Sequence, residues 1–163
     1  MLISDFDYAL PDALIARYPT DQRRDSRLLV VGENNIDLQF AELPSQLRRG
    51  DLLVFNDTRV IKARLRAQKE TGGKAEILIE RVEDLRTALA HVRASKSPNP
   101  GRRLLLEGGG EAVVTGRDGA LFALEFSTEI LPYLDLHGEV PLPPYLEREA
   151  EASDVERYQT VYA

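Results

Sequence analysis

Between Val60 and Ser127 the chain is divided into short β-prone segments by turn residues, and this rhythm restricts its fold more than any other feature. Six candidate strands follow one another: Val60–Ala67, Ala75–Arg81, Thr87–Ala94, Arg102–Glu107, Glu111–Gly116 and Ala120–Ser127. In the first, Ile61, Ala63 and Leu65 alternate with Lys62, Arg64 and Arg66, the period of two that a strand with one buried face requires. The joints carry turn chemistry: Thr71-Gly72-Gly73, Ser97-Pro98-Asn99-Pro100-Gly101, Gly108-Gly109-Gly110 and Asp118-Gly119. Short strands at this spacing predict an antiparallel meander that closes into a small barrel, because closure removes exposed strand edges.

The flanks have a different texture. Leu10-Pro11-Asp12 reads as the start of a helix that stops near Tyr18-Pro19, since a residue before proline avoids helical angles. Leu28 to Val31 and Ile36 to Phe40 read as strands around a turn at Gly32 to Asn35, and Leu43 to Leu47 as a short helix. Leu52 to Phe55 is an uninterrupted apolar run that predicts a strand buried on both faces, with Asn56, Asp57, Thr58 and Arg59 at its carboxyl end. After the barrel, Thr128 to Leu136 predicts a helix capped by Thr128, with Pro132 tolerated in its first turn. Pro141-Leu142-Pro143-Pro144-Tyr145 is extended and stiff, and Ser153 to Tyr162 restarts a helical pattern. The expected class is α/β of a mixed α+β kind. A small α/β domain, residues 1–59 and 128–163, carries an inserted antiparallel β-barrel domain at 60–127.

Composition removes several chemistries. The chain has no cysteine, which excludes disulfides, thiolate catalysis and zinc sites built on sulfur. No apolar run approaches the roughly 20 residues that span a bilayer, and the acidic start Ser4-Asp5-Phe6-Asp7 is unlike a secretory signal. A cytoplasmic location, no membrane partner and a monomeric state are the expectations. The net charge of −6 argues against a general nucleic-acid binder, but the charge is uneven. Residues 59–74 carry +5, residues 86–103 carry +5, and residues 135–157 carry −5. Two local basic segments on an acidic chain suit docking of an RNA backbone at one face.

Individual motifs narrow the choice further. Gly72-Gly73-Lys74 is a hairpin turn and not a phosphate loop, because Gln68 and Ala75 stand where a glycine and a hydroxyl residue belong. Gly108 to Gly110 joins two strands and has no following helix to receive phosphate. His91 and His137 lack metal-ligand spacing, no serine sits in a nucleophile elbow, and no metal is expected. Lys62, Arg64 and Arg66 form a basic stripe on one strand face; it serves either RNA or cross-strand pairing with Glu76 and Glu80. Arg93 and Lys96 have no acid close in sequence and are the preferred phosphate contacts. Asn56 to Thr58 are a turn or helix cap, or a ligand position at the end of a strand. Tyr145 either belongs to a rigid connector or offers a stacking face to a flat ligand. Tyr158 and Tyr162 share a helix face, a spacing more typical of a core pair.

The stretch Gly50-Asp51-Leu52-Leu53-Val54-Phe55-Asn56-Asp57-Thr58-Arg59-Val60 closely resembles a signature of the S-adenosylmethionine:tRNA ribosyltransferase-isomerases of queuosine biosynthesis. Glu70-Thr71-Gly72-Gly73-Lys74, Arg93-Ala94-Ser95-Lys96, Pro141 to Tyr145 and Arg157-Tyr158-Gln159-Thr160-Val161-Tyr162 match in the same order. The resemblance covers the whole chain as the N-terminal half of such an enzyme. Members continue into an Ala-Pro-Thr-Ala-Gly-Leu-His-Phe run without counterpart here.

The resemblance implies the α/β domain with an inserted barrel. It also implies transfer of the ribosyl part of S-adenosylmethionine onto an aminomethyl-deazaguanine at the tRNA wobble position. Isomerisation to epoxyqueuosine follows, and adenine and methionine are released. The partners are then tRNA and S-adenosylmethionine, which is consumed, so no separate cofactor is implied. Asp57 would lie near the sulfonium as the catalytic carboxylate, Asn56 and Thr58 would orient the ribose, and Arg59 would contact a carboxylate or phosphate. Tyr145 would contribute to substrate binding, and Arg93, Lys96 and Arg64 would bind tRNA. Lys62 stands where the family usually has proline, and Glu139-Val140 replaces a common His-Met. The chain alone is expected to be inactive. The competing reading is a non-enzymatic RNA-binding β-barrel module.

Overall fold

The computed structural model describes residues 2–160, which fall into two units: the chain up to Asn56 together with Pro143–Glu149, and Asp57–Leu142 together with the residues from Ala150 onward. The second unit contains a closed six-stranded barrel, and all pairings in it are antiparallel. With β1 and β2 assigned to the N-terminal unit, its strands are β3 (Arg64–Lys69), β4 (Lys74–Val82), β5 (Thr87–Ala94), β6 (Arg103–Leu106), β7 (Glu111–Asp118) and β8 (Leu121–Phe126). All six expected strands are present. The first begins at Arg64 and not at Val60.

The connectivity departs from a simple meander. The order around the barrel is β3-β4-β5-β8-β7-β6, so β5 pairs with β8, and β6 closes against β3. Two three-stranded meanders are joined by the segment after Ala94, which passes from β5 to β6 without those strands pairing. Its length and two prolines explain the difference: Ser95 to Arg102 is a crossing and not a tight reversal. Gly101 N–H donates to Val114 O at 2.7 Å and Val114 N–H to Arg102 O at 3.0 Å, so the crossing is anchored where it enters β6. Gly101 adopts φ +82°, a conformation that favours glycine.

Alternation fills the interior. Leu65, Ile77, Leu104, Val114, Leu124 and Phe126 are fully buried, with small Ala88, Ala90 and Ala112 between them. Fully burying each large side chain contributes about 1.5–3 kcal/mol to the barrel. Helix α1 (Ile130–His137) adds Ile130, Tyr133 and Leu134 to that core. Its N-cap is Glu129 and not Thr128, and no side chain caps it. After α1, Glu139 exchanges backbone hydrogen bonds with Arg64 (3.1 and 2.8 Å), bridging the start of β3. Gly138 makes this approach possible, because a Cβ there would stand 2.1 Å from Lys62 O.

The N-terminal unit is built differently. β1 (Arg27–Val30) and β2 (Ile36–Gln39) form an isolated antiparallel pair, followed by a 3-10 helix, Phe40–Gln46, that contains Pro44. The helix expected after Pro11 is reduced to one 3-10 turn, Asp12–Leu14. Leu14 there is exposed, and a short helix with no surface to bury against has little to sustain it. Leu52 to Phe55 is not a strand, and Leu52 and Val54 are each 86% exposed. The run has the composition of a buried strand but no neighbouring strand among the described residues, and an unpaired strand gains no ladder hydrogen bonds. The helical pattern after Ser153 is confined to α2 (Asp154–Arg157), and Tyr162 lies outside the described residues.

Candidate functional site

Asn56, Asp57, Thr58 and Arg59 are all exposed, and the chain passes from one unit to the other between Asn56 and Asp57. The expected delivery of the quartet by a buried strand is therefore not what the structure shows. A different device fixes the part of it that belongs to the barrel unit. The Gln159 side-chain amide imitates a strand partner: Val60 N–H donates to its Oε1 at 3.0 Å, and its Nε2 donates to Val60 O at 2.8 Å. Beside it, the Thr160 hydroxyl donates to Thr58 O. Two consecutive residues thus hold the backbone on either side of Arg59. The Asp57 and Arg59 side chains make no ion pair among the described residues, which leaves both charges available to a ligand.

The basic stripe on β3 is turned largely to internal use. Arg64 is half-buried; its Nη2 donates to Leu142 O at 3.1 Å and its Nε lies 3.9 Å from Glu76. Arg66 pairs with Glu139 at 2.8 Å and stands opposite Glu76 in the ladder. Lys62 Nζ donates to Asp135 O at 2.9 Å. The expected cross-strand pairing with Glu76 is thus present for Arg64, while Glu80 turns to Arg81 at 3.9 Å. Arg93 lies opposite Glu76 on β5, is exposed, and has no ion pair among the described residues.

Lys96 lies in a cleft of about 190 Å³ at one end of the barrel. The β3–β4 hairpin supplies Lys69, Glu70 and Thr71; the crossing supplies Lys96, Ser97, Pro98, Asn99 and Arg102; and β6 supplies Arg103. The topology makes this cleft, because the crossing passes the hairpin tip on its way to β6. Lys69 Nζ reaches over to Ser95 Oγ and Lys96 O, each at 3.4 Å. Arg103 is held by Glu70 at 3.1 Å and Glu111 at 3.3 Å. Lys96 stands out in the sequence, whereas nothing local marks Lys69 and Arg102 as its neighbours, because the crossing brings the hairpin tip to that loop.

Tyr145 lies in the N-terminal unit, within a 3-10 turn (Pro144–Leu146), and its ring is exposed. Arg17 Nη1 donates to Tyr145 O at 2.8 Å and pairs with Glu147 at 2.9 Å, so this turn is tied to the N-terminal segment. Among the described residues no group of acidic and histidine side chains is placed to hold a metal ion. No helix among them is long and apolar enough to cross a membrane.

The sequence profile of the family described as queuosine biosynthesis protein matches residues 3–163. The chain belongs to this family. A solved structure, the S-adenosylmethionine tRNA ribosyltransferase of Thermotoga maritima, is 29% identical with a TM-score of 0.43. That match covers 94% of this chain and 53% of the other, so the chain spans about half the length of the Thermotoga protein. Lys62 and Glu139 both have visible local roles in this structure. Glu139 supplies the carboxylate that holds Arg66, and Lys62 closes onto the carboxyl end of α1 through Asp135 O.

Proposed function

We propose that this queuosine biosynthesis protein takes part in ribosyl transfer from S-adenosylmethionine to an aminomethyl-deazaguanine in tRNA. Isomerisation gives epoxyqueuosine, with release of adenine and methionine. The reaction needs a base beside the sulfonium, an anchor for the methionine carboxylate and a stacking face for adenine. Asp57 is the base in this reading, Arg59 the carboxylate or phosphate anchor, and Asn56 and Thr58 orient the ribose. Tyr145 is the stacking face. Arg93 and Lys96 contact tRNA, and Arg64 acts with them by holding the barrel wall. S-adenosylmethionine is consumed, so no resident cofactor is invoked, and the reaction belongs to the cytoplasm, where tRNA is modified.

The observation that carries this reading is the clamp on Thr58 and Val60 by Gln159 and Thr160, which fixes Arg59 while leaving its charge and that of Asp57 unpaired. Solvent reaches all four quartet side chains, and ribosyl transfer needs a site that excludes water. The 163-residue chain by itself is therefore proposed to bind tRNA without turnover. In the protein at its native length, Arg59→Ala is expected to lower adenine release by about 100-fold or more, the scale of losing a charge-assisted anchor. Unchanged turnover and substrate affinities in that variant would remove Arg59 from the site.

A second reading, a non-enzymatic RNA-binding module, is favoured by the closed barrel with its basic cleft. Salt-sensitive tRNA binding by the native-length protein with no adenine formed would select it.

A further inference from the structure

The cleft between the β3–β4 hairpin and the β5–β6 crossing has a size and charge that restrict its ligand. Its volume of about 190 Å³ is below the roughly 300 Å³ typical of pockets for drug-sized molecules, a scale that suits a small anion. Lys69, Lys96, Arg102 and Arg103 line it against a single carboxylate, Glu70, a local balance of +3. Among the described residues, only Arg103 of these four is held in ion pairs. Lys69 is held by neutral oxygens, and Lys96 and Arg102 have no ion pair among the described residues. The net positive charge of S-adenosylmethionine is disfavoured by such a lining, whereas the net negative charge of a phosphate is attracted.

Two backbone features hold the cations in place. Gly73 is one: a Cβ there would stand 2.7 Å from Lys69 Cε, so the bare glycine lets the lysine stem lie across the hairpin toward Ser95 and Lys96. The other is the crossing itself. Pro98 is buried, Arg102 N–H donates to Asn99 O at 3.2 Å, and Gly101 is tied to β7. Ser97, Asn99 and Thr71 add hydroxyl and amide donors to the lining. Arg93, exposed on β5 just before the crossing, extends the cations along the outside of the barrel, as a polyanion with successive phosphates requires.

We propose that this cleft seats one phosphate of an RNA backbone, with Lys96 and Arg102 supplying the charge and Gly73 admitting Lys69 over the same anion. The assignment rests on the tRNA partner proposed above and gives that partner a contact point built by the crossing. It is a positioning contact: it fixes where the RNA lies and reads no base.

The test is binding of a tRNA transcript to the 163-residue protein over a series of KCl concentrations. Three proteins are compared: the parent, a Lys96→Ala/Arg102→Ala double variant, and Gly73→Ala. The double variant is expected to bind about tenfold more weakly, with the slope of log K against log salt reduced by about one or two. Gly73→Ala keeps every charge and displaces only the flexible end of Lys69, so it is expected to weaken binding while leaving the thermal midpoint nearly unchanged. Should the double variant lose its fold, Gly73→Ala decides. Parental tRNA binding that neither variant alters would overturn the cleft and leave the tRNA reading standing. No tRNA binding by the parent would overturn both. In that case amide shifts at Thr71, Ser97 and Asn99 on adding inorganic phosphate would identify a free-anion site in place of an RNA contact.

Discussion

The two units of this chain solve the burial problem to different degrees. The barrel unit closes its sheet, aligns Leu65, Ile77, Leu104, Leu124 and Phe126 inside, and leaves no strand edge. The N-terminal unit has no buried side chain among its described residues, and it exposes Phe6, Tyr8, Leu14, Tyr18, Val31 and the run Leu52 to Phe55. Both segments are comparably apolar in sequence, so hydrophobic content alone does not make a core. What differs is whether the partners of each apolar face lie nearby in the chain, as they do across the barrel hairpins.

The sharpest way to break this contrast is a matched pair of truncations. Leu104→Ala, at a fully buried position, is expected to cost about 2–5 kcal/mol, whereas Leu52→Ala is expected to stay within about 0.5 kcal/mol. Equal urea midpoints for the two variants would show that the contrast is not energetic. Next in size is Gly138→Ala, whose added methyl meets the backbone of Lys62 and Leu134; a loss of about 1–3 kcal/mol is expected in the same measurement.

Tyr133→Phe tests the barrel's polar seam. Its hydroxyl reaches Glu107 O at 2.8 Å and Gly109 O at 2.5 Å, and its loss is expected to cost about 1 kcal/mol. Burial, and then the charge of Glu107, push the phenol's pKa above its ordinary value of 10.0. The folded state therefore keeps a proton that the unfolded chain releases first. The associated stability is whole below about pH 10 and is lost as pH rises through the folded value. The thermal midpoint of the parent should fall more steeply on that alkaline side than that of Tyr133→Phe, and parallel curves would refute the assignment. Within the barrel unit, the smallest effect is expected for Arg66→Ala. Its pair with Glu139 is solvent-exposed and worth about 0–1 kcal/mol, so a larger loss in urea unfolding would mean the pair is more than a surface contact.

The same contrast explains what could be read in advance. The barrel was legible because Ile61-Ala63-Leu65 alternation and the turn residues at Gly72-Gly73, Gly108 to Gly110 and Asp118-Gly119 are local signals for a structure made of local hairpins. The crossing was not, because Ser97 to Gly101 announces a loop without saying which strand receives it. Leu52 to Phe55 reads as a buried strand because composition reports a need for burial and is silent about the partner. At the candidate site, Asn56 to Arg59 was identifiable from its motif. Its clamp was not, since a glutamine almost 100 residues away carries no local mark of bonding Val60.

We propose that the closed barrel holds RNA, while the Asn56–Arg59 quartet stands exposed to solvent. Adenine formation tests it most directly, with the 163-residue protein supplied with S-adenosylmethionine and tRNA bearing the aminomethyl-deazaguanine base. The expected result is tRNA bound to the protein and no adenine above that formed by S-adenosylmethionine alone. Adenine accumulating over repeated turnovers would contradict it.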